Sequence, residues 1–510
     1  MSFAFKTGGV HWRIIRGARH RITRNFTVTR RCPMNSPTSS GCPFHQDAPS
    51  PTAAIPLNPP GVWPPGPPTG LTGWSLLNKM SRDLLGTLTA WQREFGDVVH
   101  LRFWPEHEIV VTDPQLAREL LLTHHDALIR WERGIRIFSQ LHGHSVLTAE
   151  GDAWRNKRHT LQSSFSPKAV QAFLPTMAAT TQQALAQWPT DDPHWPIESA
   201  LTSLTMEVIL QMTFSGGIGA DARIAENAVR VVSAAANAEF YWPASLPDWV
   251  PWKRAKRQAL ADLKGLIERY LQTRLKVPRH ARPDDLLTRL LALHESDASA
   301  WPLQAVRDEC MTAFLAGHET TAATLVWWAW CMASNPEAQA VARAEVAQIL
   351  QGQVPTPDTL PSLNYLTQTI KETQRLYPTA AVLFSRRSTK PITLGAWQLP
   401  ARTMFLVPVQ LMHHDPRWFP EPSAFRPDRF GPEAPEIPRG AYSPFGIGPR
   451  VCLGQHLAMT EMTVIAAMVL QRFNLSVPEG MTAPRPVMNV MLRPDQPVHL
   501  TVTSAASVPA

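Results

Sequence analysis

Apolar residues recur at helical spacing over 81–96, 114–124, 167–187, 197–213, 220–238, 254–275, 304–333, 336–351, 363–376 and 455–472. Strand-like stretches are short and few: Val98–Phe103, Glu108–Thr112, Ile392–Leu394 and Met404–Val407, bounded by Gly, Pro or Asp. The pattern predicts a mainly α protein with small β-sheets (α+β class), the sheets lying near the two ends. From residue 72 onward there is no internal repeat, second low-complexity linker or Gly-rich nucleotide loop, so one large mixed domain is expected over 72–510. The longest apolar runs, Thr324–Met332 and Val464–Leu470, fall short of the ~18–20 residues that cross a bilayer. No transmembrane span is expected.

Composition narrows the reading. The chain has 510 residues, of which 44% are apolar, enough for a substantial core. Its five cysteines (Cys32, Cys42, Cys310, Cys331 and Cys452) are too few for a disulfide framework, and an odd number suits a reducing compartment. The formal charge of +8 suggests nucleic acid until it is located. Lys6, Arg13, Arg16, Arg19, Arg21, Arg24, Arg30 and Arg31 precede the first acid, Asp47, and the remaining 41 Lys and Arg balance 41 acids. The body is neutral, which argues against a nucleic-acid partner. Residues 1–33 form an Arg-rich leader without an apolar h-region, either a targeting segment or an over-extended start preceding Met34. Residues 34–71 form a Pro-rich segment expected to run as an extended tether or wrap.

The densest chemistry lies at residues 445–454, Phe-Gly-Ile-Gly-Pro-Arg-Val-Cys-Leu-Gly. Three glycines and a proline preclude a regular helix and permit turns that expose backbone N–H groups. A sulfur beside such donors, with Arg450 two residues away, is suited to a stabilised thiolate. An isolated cysteine is more often a buried structural residue. A zinc site is poorly supported, because His456 is the one nearby ligand type and lacks partners.

At Phe445, Gly448, Arg450, Cys452 and Gly454 the loop resembles the haem-binding signature of the cytochromes P450. The resemblance implies the P450 fold, with haem b (iron protoporphyrin IX) between distal and proximal helices and Cys452 as the axial thiolate ligand. Three further elements follow the family's pattern. Glu372 and Arg375, three apart on one helical face, resemble its Glu-x-x-Arg pair, with Arg429 of Pro427-Asp-Arg-Phe430 as the third member of a structural network. Ala316-Gly-His-Glu-Thr-Thr321 resembles its distal motif, implying that Thr320 stabilises bound dioxygen and that Glu319 belongs to the proton route. Gly317, costly within a helix, signals close approach of something to the backbone. Trp154 and Arg158 resemble its Trp-x-x-x-Arg element, which implies that they hold the haem propionates with Arg450 and, of the pair Arg386–Arg387, Arg386.

The implied activity is a haem-thiolate monooxygenase inserting one atom of O2 into a lipophilic small molecule, fatty-acid-like or terpenoid-like, by hydroxylation or epoxidation. About 56 residues follow the signature loop, too few for a flavin domain. A separate ferredoxin or flavodoxin with its NAD(P)H reductase is therefore expected, docking near Arg155, Lys157 and Arg439. Without the family's usual membrane anchor, a cytoplasmic, bacterial-type protein is expected. Phe240–Pro243 and Trp249–Arg254 are read as a mobile lid, and 133–147, Phe314, Ala316 and Ala380–Phe384, including Val382, as the substrate pocket. The competing readings are a peroxide-using or isomerising haem-thiolate enzyme and a non-catalytic haem sensor; the acid–alcohol pair Glu319–Thr320 argues against both.

Overall fold

The computed structural model describes residues 58–59, 62–216, 220–241, 250 and 253–505, all within one compact unit, Ile55–Ala510. The leader, most of the Pro-rich segment and half of the expected lid, namely Trp242, Pro243, Trp249, Pro251 and Trp252, lie outside the described residues.

Helices dominate, and local signals place their starts. Asp83 caps Leu84–Phe95 by accepting from the Gly86 N–H, which splits the expected 81–96 helix into Trp74–Arg82 and Leu84–Phe95. Asp113 and Ser166 act likewise, each followed by a proline at the first helical position. The centre of the fold is the helix Leu303–Ser334, whose 32 residues span roughly 48 Å. Its lower half carries apolar residues all round because it is buried all round. Trp327 and Trp328 are fully buried in one cluster with Leu204, Val208 and Met212 of Ile197–Phe214, Leu366 and Ile370 of Asn364–Leu376, and Val464 to Leu470 of Gln455–Arg472. No helix among the described residues is long and apolar enough to cross a membrane.

A five-stranded sheet orders Val98–Phe103, Glu106–Val111, Met404–Leu406, Arg386–Ser388 and Leu128–Arg130, with one parallel pair, Glu106–Val111 on Met404–Leu406. A three-stranded sheet joins Asp191–Trp195, Leu500–Ser504 and Phe473–Ser476, and two hairpins complete the set. Most of these strands have three to five residues, too few for alternation to register in sequence. The described end of the Pro-rich stretch, residues 62–71, runs along the strand Val98–Phe103. Pro65 accepts from the His100 N–H at 2.9 Å, and a Cβ on Gly66 would stand 1.9 Å from the His100 carbonyl oxygen.

Candidate active site

Between the large sheet and the helix Leu303–Ser334 lies a cavity of about 1100 Å³. Its floor holds Cys452, which follows a tight turn at Gly448–Arg450 and precedes the helix Gln455–Arg472. Gly446 and Gly448 have φ of 85° and 80°, and a Cβ on Gly448 would lie 2.4 Å from the Leu121 carbonyl oxygen, so this path admits only glycine there. The Cys452 N–H donates to the Phe445 carbonyl at 2.9 Å and closes the loop. Densely surrounded, the cysteine exposes its surface to the cavity alone. Burial raises the thiol, while the Gly454 N–H and the Arg158 guanidinium pull it back. The expected charge beside the sulfur is thus Arg158, which also donates to the Val451 carbonyl at 2.8 Å, rather than Arg450.

Arg450 instead donates to Glu150 at 2.5 Å and to the Ala149 carbonyl at 2.9 Å, with its guanidinium 4.0 Å over the Trp154 ring. Arg130 and Arg386 stand opposite each other on antiparallel strands, both buried. Four guanidinium groups, Arg130, Arg158, Arg386 and Arg450, line one side of the cavity and, among the described residues, have a single pairing acid, Glu150. Like charges directly across a sheet destabilise it. Burial and the Arg450 charge lower Arg386 to about 10, and burial with the Arg450 and Arg386 charges lowers Arg130 as well. Arg130 Nε is buried without a partner among the described residues. A group bearing two carboxylates above Cys452 fits this excess, as haem propionates would. Arg387, by contrast, is held by Glu106 and Glu132, at 2.7 Å each. Arg130 was missed by sequence reasoning; it stands alone in a short strand, with no motif around it.

Beneath the floor, Glu372 and Arg375 are fully buried and joined by two bonds of 2.7 and 2.8 Å. Arg429 adds 3.2 Å to Glu372, and Arg375 also donates to the His413, Pro422 and Ala424 carbonyls. These bonds tie the helix Asn364–Leu376 to the segment leading into the cysteine loop.

The roof is the middle of the helix Leu303–Ser334. Thr312, Ala313, Ala316, Gly317, Thr320 and Thr324 line the cavity. Thr320 Oγ1 donates to the Ala316 carbonyl at 2.8 Å, and Thr324 Oγ1 to Thr320 at 2.9 Å. The close approach signalled by Gly317 is the Ile209 side chain, 2.8 Å from where a Cβ would stand. Glu319 accepts from Ser233 at 3.1 and 3.0 Å and from Arg493 at 2.5 Å; burial raises its carboxyl and Arg493 opposes the shift. Phe314 departs from expectation. It is fully buried in the core with Ile209 and Val306 and does not line the cavity. At 100° per residue it lies about 200° from Ala316, so it faces the other way.

Val382, Phe138 and Phe384 form part of an apolar wall, with the Phe138 ring 4.8 Å from Phe384 and 5.6 Å from Phe240. Of the expected docking cations, Arg155 and Arg439 are exposed, Arg155 pairing with Asp152 and Asp126. Lys157 is not a docking charge. It pairs with buried Glu309 at 2.9 Å and sits over Trp301.

The cytochrome P450 family model matches residues 64–502. Cyclooctat-9-en-7-ol 5-monooxygenase of Streptomyces melanosporofaciens is 32% identical over 420 residues, covering 78% of this chain and 89% of the relative. Cyclooctatin synthase of the same organism is 30% identical, covering 78% and 87%. The 11-oxo-beta-amyrin 30-oxidase of Glycyrrhiza uralensis is 28% identical, covering 77% and 78%. With a lone cysteine under a cavity whose arginines await carboxylates, the chain belongs to the cytochrome P450 family and is a haem-thiolate monooxygenase.

Proposed function

We propose that this protein inserts one oxygen atom of O2 into a terpenoid-like lipophilic small molecule in the cytoplasm, using haem b and electrons from a separate ferredoxin or flavodoxin with its NAD(P)H reductase. The observation that carries this reading is the convergence of Cys452, the arginine cluster and the Thr320 hydroxyl on one apolar-walled cavity. The substrates named for these relatives, cyclooctat-9-en-7-ol and 11-oxo-beta-amyrin, favour the terpenoid-like over the fatty-acid-like alternative.

Bound haem supplies the activation of dioxygen and the oxidising power to attack an unactivated carbon. Cys452 would supply the iron ligand, and the Gly454 N–H would temper the charge on the sulfur. Trp154, Arg130, Arg158, Arg386 and Arg450 hold the propionates, and Phe445 and Gly454 line the floor beside them. Thr320 presents a hydroxyl proton one bond rotation away from the cavity, since its present acceptor is its own helix. Glu319, raised by burial yet held by Arg493 and Ser233, can take up and release a proton on the outer side of that hydroxyl. The aromatic wall excludes water from the reacting carbon.

Thr320→Ala tests the assignment. In a reconstituted assay NAD(P)H consumption should continue while product falls by roughly 10²-fold, the usual scale for a lost proton-transfer group. Consumption and product that stay matched would overturn it.

A further inference from the structure

Most polar groups lining the roof are already engaged. Glu319 is bound by Ser233 and Arg493, Thr320 and Thr324 donate to their own helix, and Asn237 accepts from the Val490 N–H at 3.3 Å. His142 differs. It ends the helix Glu132–His142, is 6% exposed and lines the cavity beside Phe138, whose ring lies 5.9 Å away. Its Nδ1 pairs with Thr312 Oγ1 at 3.3 Å. Among the described residues its Nε2 has no hydrogen-bond partner, and the residue lines the cavity.

The placement is built rather than incidental. Directly after His142 the chain turns at Gly143, with φ of 53°, where a Cβ would stand 2.2 Å from the Asp308 carboxylate. Asp308 accepts from the His144 N–H at 2.8 Å, and Glu309 from the Val146 N–H at 3.0 and 3.1 Å. Two successive carboxylates of the roof helix therefore fasten the segment that carries His142, and Thr312, three residues on from Glu309, fixes the ring. Burial lowers the imidazole to about 4, so at neutral pH it offers one N–H donor and one bare acceptor. Thr312 stands one helical turn, about 6 Å, from Ala316 and two turns, about 12 Å, from Thr320.

We infer that His142, oriented by Thr312, is the hydrogen-bond anchor for a lone alcohol or carbonyl oxygen on an otherwise apolar substrate, and so selects both the substrate and the carbon presented for oxidation. The inference rests on the monooxygenase reading of the same cavity and deepens it: the substrate already carries one oxygen when it arrives. The reaction supplying it is then one that leaves an alcohol or a carbonyl: an oxygenation, a hydration, a hydrolysis, an alcohol oxidation or a water-quenched cyclisation.

The test uses probes fixed at one end. The holoenzyme is titrated with 1-alkylimidazoles and with the matching ω-(imidazol-1-yl)alkan-1-ols, from butyl to decyl, following the spectral shift produced when the imidazole nitrogen ligates the iron. At one chain length, or two adjacent ones, the affinity ratio of alcohol to alkyl compound should exceed that of His142→Phe by about fivefold or more, the scale of one net hydrogen bond. Alkylimidazole affinities should agree within about twofold between the two proteins. His142→Gln should recover part of the ratio, and Thr312→Val should lower it while leaving the ring present. A ratio unchanged by His142→Phe at every length overturns the anchor. Absence of any spectral shift overturns the haem-thiolate reading, and this assignment with it.

Discussion

The floor and the roof of the cavity are built on opposite plans. In the floor, function is written in backbone geometry and buried charge: glycines at positive φ, a lone sulfur, an ion pair at zero exposure and four guanidinium groups with too few acids among the described residues. In the roof it is written in the angular phase of one helix, where a 100° step separates a cavity-lining side chain from a core one. In the cysteine loop and the Glu372–Arg375 pair, each residue satisfies a specific atom or backbone conformation, so substitutions there are costly. The roof tolerates many, because an apolar wall asks only for volume, and its few polar groups are held by partners distant in sequence. Such a division lets one chemistry be retained while the substrate changes.

Breaking the floor should have the largest effect. Glu372→Gln or Arg375→Ala leaves one charge buried without its partner, a loss of ~3–5 kcal/mol. The expected outcome is little folded, haem-loaded protein, read from the Soret absorbance of purified material and from the urea midpoint. Arg429→Ala, which removes one 3.2 Å contact at the edge of the network, should cost only ~1–2 kcal/mol. Equal losses from the two ends would show that the network is not organised around the Glu372–Arg375 pair.

Legibility in sequence follows the same division. The loop at 445–454 could be read because its glycines, arginine and cysteine sit at fixed spacings set by local geometry. Glu372–Arg375 and Trp154–Arg158 could be read because partners three or four apart on a helix share a face. Arg130 could not, since its meaning comes from pairing with Arg386, 256 positions away, across a three-residue strand. His142 lies within the expected pocket stretch 133–147, but its orientation could not be read, because Thr312 holds its ring from another helix. Phe314 faces the core rather than the expected cavity, because around it both the core face and the cavity face of the helix carry apolar residues and the sequence does not say which one borders open space.

That error offers the next, smaller test of the comparison. Phe314→Ala should cost ~3–5 kcal/mol as a core cavity while leaving 1-butylimidazole affinity within about twofold. Ala316→Leu should do the reverse: stability within about 1 kcal/mol, because its side chain projects into open space, and a clear loss of affinity for bulky ligands. Should Phe314→Ala alter ligand spectra as strongly as Ala316→Leu, the assigned helical phase is wrong.

The gentlest probe is pH, and it concerns a floor residue that breaks the floor's own rule. Glu461, on the helix leaving the cysteine loop, is 1% exposed, and its Oε1 has no partner among the described residues. Burial pushes its carboxyl from 4.5 up to about 8. In the unfolded chain it ionises near 4.5, whereas in the folded protein it keeps its proton until about pH 8. Between those values the unfolded state binds fewer protons, so stability falls as pH rises. Nothing is lost below about 4.5, and the loss is complete above about 8. Glu461→Gln keeps the shape and removes the titration. The variant should match the wild type near pH 4.5 and exceed it by a few kcal/mol at pH 8, seen as a flatter profile of Tm against pH for the holoenzyme. Glu108, raised by burial to about 7, titrates in the same window in both proteins, so the difference between the two profiles isolates Glu461. Parallel profiles would mean that this carboxyl is ionised and partnered in the folded state, and that the floor holds no uncompensated acid.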